Sequence, residues 1–222
     1  MGKAIAAALP GDVEIIAGVD INASALSAAL PFPVYENIAD FPGKADVIVD
    51  FSHHSALSSL LAYAKATKTP LVVATTGHTD EELALMNEAA SEVAIFHSGN
   101  FSIGINLIIN LAKQAARTLG ADFDIEIVEK HHNQKLDVPS GTALLLAHRM
   151  QEVLTDSVLL VGRHENGKRT AKEIGIHSLR LGNEVGTHEI IIATGSETIT
   201  LKHEAENRSL FANGALAAAK AA

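Results

Sequence analysis

The stretch Glu129–Ala143, EKHHNQKLDVPSGTA, decides how the rest of the chain is read. A strand-like run, Phe123–Val128, leads into the ionisable side chains His131, His132, Lys135 and Asp137, and Pro139-Ser140-Gly141-Thr142 then opens a helix. Ser140 is a favoured N-cap residue, and the leucine run behind it supplies an apolar helical face. The first N–H groups of a helix have no partner inside it, so those of Gly141 and Thr142 are expected to point out of the helix start. Donors and the positive end of the helix dipole converge there, which suits an anion. Two imidazoles and an ammonium beside such a start make a cationic pocket for a small carboxylate, and the same groups can pass protons. Taken singly, each feature has an ordinary meaning: a solvated histidine pair, a surface lysine, a plain helix cap. No metal site is expected. Adjacent histidines on extended backbone point to opposite sides, and the chain has neither cysteine nor HExxH.

Working outward, 222 residues with 47% hydrophobic content suffice for one large or two small globular domains. No apolar run approaches the roughly 18 uncharged residues of a membrane span, and MGKAIAAAL makes a poor signal peptide. The absence of cysteine excludes disulfides and thiol chemistry and suits a cytoplasmic protein. A net charge of −9, with 26 acidic against 17 basic residues and no tryptophan, disfavours a nucleic-acid partner. A local cationic pocket remains compatible with that charge, because the field at a site depends on nearby groups.

Upstream of the opening stretch, strands and helices alternate. Gly2–Leu9 is a short helix candidate, Val13–Val19 a buried strand ending at Asp20, and Ser24–Leu30 a helix. Ala45–Phe51, Pro70–Ala74 and Val93–Phe96 read as strands, and 54–66 and 81–91 as helices between them. That alternation predicts an α/β parallel sheet with helices on both faces and ligands beyond the strands' carboxyl ends. Asp20, Phe51, Ala74, Thr75, Thr76, Ser98, Gly99, Asn100 and Phe101 all fall at such ends. Small and hydroxyl residues there would admit a dinucleotide backbone, although Asp20, from its position alone, reads first as a turn and helix cap. Ser102–Leu119 is a long amphipathic helix with Gly120 as its stop. After 140–154, also helical, Arg163–Lys172 reads as a charged, mobile loop. Then Ile174–Leu181, His188–Ala193 and Glu197–Glu204 read as strands, the last two joined as a hairpin through Thr194-Gly195-Ser196. Arg208–Lys220 is a closing helix.

The pattern E-x-H-H-x-x-K-x-D-x-P-S-G-T-A at 129–143 closely resembles the 4-hydroxy-tetrahydrodipicolinate reductase (dihydrodipicolinate reductase) family. Asp-Phe-Ser at 50–52, Thr-Thr-Gly at 75–77 and Asn-Phe-Ser-Ile-Gly-Ile-Asn at 100–106 are similar to the family's nicotinamide-cofactor segments, in the same order. The resemblance implies a Rossmann-like domain, 1–101 with 208–222, whose first strand is missing here. It also implies a smaller α+β domain, 102–207, with a mixed sheet that binds substrate and builds a homotetramer. Its implied reaction is NADH- or NADPH-dependent reduction of a cyclic unsaturated imine dicarboxylate, a step of the diaminopimelate route to lysine. By match to the motif, His131 and Lys135 are proton donors, and His132, Ser140, Gly141 and Thr142 bind the small dicarboxylate. Closure about Phe101-Ser102 and Arg208 would exclude water. Asp20 occupies the ribose-binding position and is followed by Ile21 rather than a basic residue, which leans the expectation towards NADH. One departure is plain: no GxGxxG occurs, and the chain begins as if inside the family's glycine loop. A truncated record is the expectation. A cofactor-free remnant, or a reductase of another small imine, stands as the alternative.

Overall fold

The computed structural model describes residues 1–119 and 123–222, so Gly120, where the helix stop is expected, lies outside the described residues. In chain order the elements are α1 (Gly2–Ala7), β1 (Gly18–Val19), α2 (Ala23–Leu26), β2 (Val34–Tyr35), β3 (Ile48–Asp50), α3 (Leu57–Thr67), β4 (Leu71–Val73), α4 (Asp80–Ala89) and β5 (Ile95–His97). There follow α5 (Ile103–Leu119), β6 (Asp124–His131), α6 (Gly141–Gln151), β7 (Val158–Val161), β8 (Glu173–Arg180), β9 (Gly186–Ala193), β10 (Thr198–Ala205) and α7 (Ser209–Ala221). Two compact units divide the chain: Met1–Phe101 with Ser209–Ala222, and Ser102–Arg208.

In the first unit β3, β4 and β5 form a parallel sheet in that order. All three residues of β4 are fully buried, because helices cover both faces. Leu71 and Val73 pack with Leu57, Leu60 and Leu61 of α3 and Met86 of α4. Val72 instead joins Phe101, Ile5 of α1 and Ala212, Ala215 and Leu216 of α7. α7 lies so close that a Cβ on Gly214 would sit 1.7 Å from the Phe101 carbonyl oxygen, so only glycine fits. The expected strand Val13–Val19 makes ladder bonds only at Gly18–Val19, paired in parallel with Val34–Tyr35. Val13 and Ile15 are partly buried against the α7 cluster, whereas Ile16 and Val19 stay exposed. The helix expected at Ser24–Leu30 is confined to α2, and Pro31 and Pro33 follow. α4 starts with a capping box between Thr79 and Glu82.

The second unit is a five-stranded mixed sheet, order β10-β9-β6-β8-β7, in which β6 runs antiparallel to β9 and parallel to β8. One face is covered by α5 and α6: Ile105, Ile109 and Ala112 of the first and Leu146 and Met150 of the second share a core with the sheet's isoleucines. β7 was not expected from the sequence. Four apolar residues without a turn signal carry no period, and this strand exists because β8 offers it a parallel edge. The charged stretch 163–172 is an exposed loop, as expected, and two of its arginines reach the sheet: Arg163 bonds Glu173 at 2.7 Å, and Arg169 pairs with Asp124 at 3.0 Å and with Glu126 at 3.3 Å.

Candidate active site

Side chains alternate along a strand, so the register of the second unit stacks rows across its helix-covered face. One row is Ile199, Ile192, Ile125 and Ile174, and the next is Leu201, Ile190, Ile127 and Ile176. The third breaks the pattern with His203, His188, Glu129 and Ser178, and beyond it His131 lies opposite Arg180. The face thus turns from hydrocarbon to ionisable groups where β6 ends and α6 begins.

Glu129 is fully buried. A buried carboxylate is tolerable only when paired and hydrogen-bonded. Arg180 donates to both of its oxygens at 2.8 Å, the Ser140 N–H donates at 3.2 Å, and His131 Nδ1 lies 2.5 Å away. Burial alone would raise its pKa, but the bonds from His131 and Arg180 outweigh burial and hold it far below the usual carboxylate range. With a carboxylate at Nδ1, the network assigns the hydrogen of His131 to that nitrogen. Arg180 also donates to the Asp137 carbonyl at 2.7 Å, which ties the following loop to the same anchor.

Ser140 caps α6 by accepting from Ala143 N–H at 3.2 Å, and its hydroxyl also bonds His188 Nε2 at 3.1 Å. Burial, with the nearby His131, pushes His188 down to about 3, so its ring is neutral near pH 7. Ser140 is 2% exposed, and its hydroxyl ties the α6 start to β9. Lys135 Nζ lies 2.8 Å from Asp137 Oδ1. Burial would raise Asp137, but Lys135 and then the Gly141 N–H pull it below its ordinary value. No side chain crowds the Gly141 Cα, and Thr142 and His132 are partly exposed.

In the first unit, Ser98 donates from its hydroxyl to the Asn100 carbonyl at 2.8 Å and accepts the Asn100 N–H at 3.2 Å, which shapes the exit of β5. Ala74 N–H bonds the Asp50 carbonyl at 2.8 Å, while Thr76 is exposed and Gly77 has φ of 82°. Thr75 is 5% exposed with its hydroxyl unpartnered, an orphaned polar atom facing the strand exits. Added Cβ atoms at Gly77 and Gly99 would meet nothing, so backbone there is approachable. These features fit a dinucleotide. Phe51 stays partly exposed 6.1 Å from the Phe101 ring, while Phe101 itself is core. Asp20 Oδ1 accepts from Asn22 N–H at 2.8 Å, so it serves as a turn residue, whatever else it binds.

The sequence reading passed over Glu129, Arg180 and His188 as site residues. Glu129 could have been found from its period, since a residue two before His131 on a strand shares its face. Arg180 and His188 come from other strands, and only the register brings them in. A histidine cluster in the first unit was also missed: His54 Nδ1 bonds Glu82 at 2.9 Å, and His78 lies between His54 and His97.

Comparison with known proteins follows the same division. Residues 1–101 match the family described as dihydrodipicolinate reductase, N-terminus, and residues 104–222 match dihydrodipicolinate reductase, C-terminus. A 4-hydroxy-tetrahydrodipicolinate reductase of Clostridium tetani is 49% identical over 93% of this chain and 80% of its own length. Its namesake from Caldanaerobacter subterraneus is 46% identical over 99% of this chain and 87% of its own. Among solved structures, a dipicolinate-bound dihydrodipicolinate reductase from Paenisporosarcina sp. superposes with a TM-score of 0.79 at 28% identity, covering 99% of this chain and 89% of that one. A buried Glu-His-Arg network at a helix start, carried on a chain this similar from end to end, establishes that the protein belongs to the dihydrodipicolinate reductase family.

Proposed function

We propose that the chain reduces 4-hydroxy-tetrahydrodipicolinate to tetrahydrodipicolinate with NADH or NADPH, in the diaminopimelate route of lysine biosynthesis. The observation that carries this reading is the cluster of His131, Lys135 and the α6 start, on a chain nearly half identical to relatives of that name. The nicotinamide supplies the hydride. Phe51, Ala74, Thr75, Thr76, Ser98, Gly99 and Asn100 would hold the cofactor, with the Phe101 backbone at the same exit. The protein's share is geometry and charge. Lys135, His132 and the backbone N–H groups of Gly141 and Thr142 bind the two substrate carboxylates, and one of these displaces Asp137 from Lys135. His131 and Lys135 then provide the proton that the ring nitrogen needs once hydride has arrived. The solved relative with dipicolinate, a planar dicarboxylate, supports that substrate class.

Ile21 beside Asp20 is 85% exposed and offers no charge to a 2′-phosphate, which favours NADH. The sheet face opposite α5 and α6 carries Val128, Ile191 and a half-exposed Leu179, and we assign it to contacts between copies in a homotetramer. No helix among the described residues is long and apolar enough to cross a membrane, and the lack of cysteine suits the cytoplasm. The test is turnover: oxidation of NADH by the purified chain should require the dipicolinate precursor, and activity on simple 2-oxo acids without it would overturn the assignment.

A further inference from the structure

Three groups that no substrate needs to touch close around His131. At Nδ1 lies Glu129, itself gripped on both oxygens by Arg180 and bonded by the Ser140 N–H. On the other side, a Cβ added to Gly186 would stand 3.0 Å from His131 Nε2 and 3.4 Å from Cδ2. Gly186 does not have the positive φ that favours glycine, so the missing side chain is needed for space rather than for backbone conformation. The third is His188, whose ring meets that of His131 edge-on, with centroids 5.1 Å apart and planes at 74°. The Glu129 bond at Nδ1 and the edge of His188 hold the ring, while the bare Gly186 leaves the space beside Nε2 open.

We propose that Glu129, backed by Arg180, and Gly186 are positioning residues for proton transfer: Glu129 fixes the tautomer and plane of His131, and Gly186 leaves the space in which Nε2 is presented to the substrate. This rests on the reading of His131 as a proton donor. In the transfer the Nε2–H bond breaks as the N–H bond on the substrate ring forms. His131 is left neutral with its hydrogen on Nδ1, still bonded to Glu129, and solvent returns the proton to Nε2. Arg180 gives this arrangement its direction. A carboxylate already holding two guanidinium bonds is a weak proton acceptor, so it orients the ring without taking the Nδ1 hydrogen. The same carboxylate accepts the Ser140 N–H, so one side chain aligns both the donor ring and the helix start that binds the substrate carboxylate.

Three measurements decide it. Nitrogen-15 NMR of the unmodified protein at high pH should show His131 as the Nδ1–H tautomer, the minor form of free imidazole. An Nε2–H pattern overturns the proposal. Glu129→Gln should lower kcat about a hundredfold or more while KM for NADH stays within about twofold, with partial recovery in Glu129→Asp. Should the Gln variant fail to fold, Gly186→Ala adds no charge and fills only the space beside Nε2. It should cost about ten- to a hundredfold in kcat with unchanged Tm. Loss of Tm and a matching rise in KM, or full turnover in both variants, overturns positioning. His131→Ala separates this from the parent reading. If that variant keeps full turnover, the donor assignment itself fails. If it is inactive while Glu129→Gln and Gly186→Ala are fully active, positioning alone fails.

Discussion

In the first unit His54 and His78 flank Glu82 at the start of α4, at 2.9 and 3.5 Å, and in the second His131 and Arg180 flank Glu129 beside the start of α6. Both arrangements put a carboxylate and imidazoles where parallel strands give way to helices. They differ in water. The Glu82 side chain is 21% exposed and caps its own helix, whereas that of Glu129 is wholly enclosed and ties β6 to β8 and to the start of α6. An accessible pair is screened and replaceable, while an enclosed one collapses if either partner is withdrawn. Similar residue sets thus sit in different surroundings: the first caps a helix at the surface, and the second ties the end of β6 to β8 and the start of α6.

The sharpest way to break that contrast is Lys135→Ala, which should lower kcat by about 10²–10⁴ while a fluorescence titration shows NADH affinity unchanged. Equal losses in both would remove the second unit's claim to the chemistry. Next, Glu129→Ala should destabilise by about 3–5 kcal/mol in urea melts, because it leaves Arg180 enclosed without its partner. Glu82→Ala should cost clearly less, and equal costs would erase the distinction.

Acidification sharpens it further. His188, at about 3 in the folded protein against an ordinary value near 6.5, binds its proton in the unfolded chain first. Stability should therefore fall as pH drops from about 6.5 towards 3, by up to about 1.4 kcal/mol per pH unit from this residue. Glu129, depressed in the fold, adds its own loss once pH passes below the ordinary carboxylate range. Urea midpoints against pH should show the slope, and His188→Asn should flatten its upper part. The smallest stability effect is Thr79→Ala, about 1 kcal/mol from the lost α4 cap. Finally, the ratio of kcat/KM for NADH and NADPH checks the adenosine end, and a preference for NADPH above about tenfold would overturn the reading of Asp20 and Ile21.

Much of this was legible in the chain itself. The alternation Val47 to Phe51, Leu71 to Ala74 and the helices between them announce a parallel sheet, and Ser140 announces the α6 start, because these signals are local. Ser140 does cap α6, but its hydroxyl also bonds His188, forty-eight positions away, and no local pattern shows that second bond. Likewise Gly186 looks like an ordinary strand-end glycine until the register puts it against His131. Val13 to Ile16 was misjudged because apolar composition reports burial and not the presence of a neighbour to pair with.

The row-by-row register of the second sheet has a consequence for assembly. If β9 were threaded two residues out of step against β6, Glu129 would face Ile190 or Gly186 instead of His188, although each strand would still present the same side chains to the helices. Such a misaligned molecule could be compact and helical yet inert. Catalysis would then be the most sensitive gauge of correct threading, reporting an error that circular dichroism would pass unnoticed.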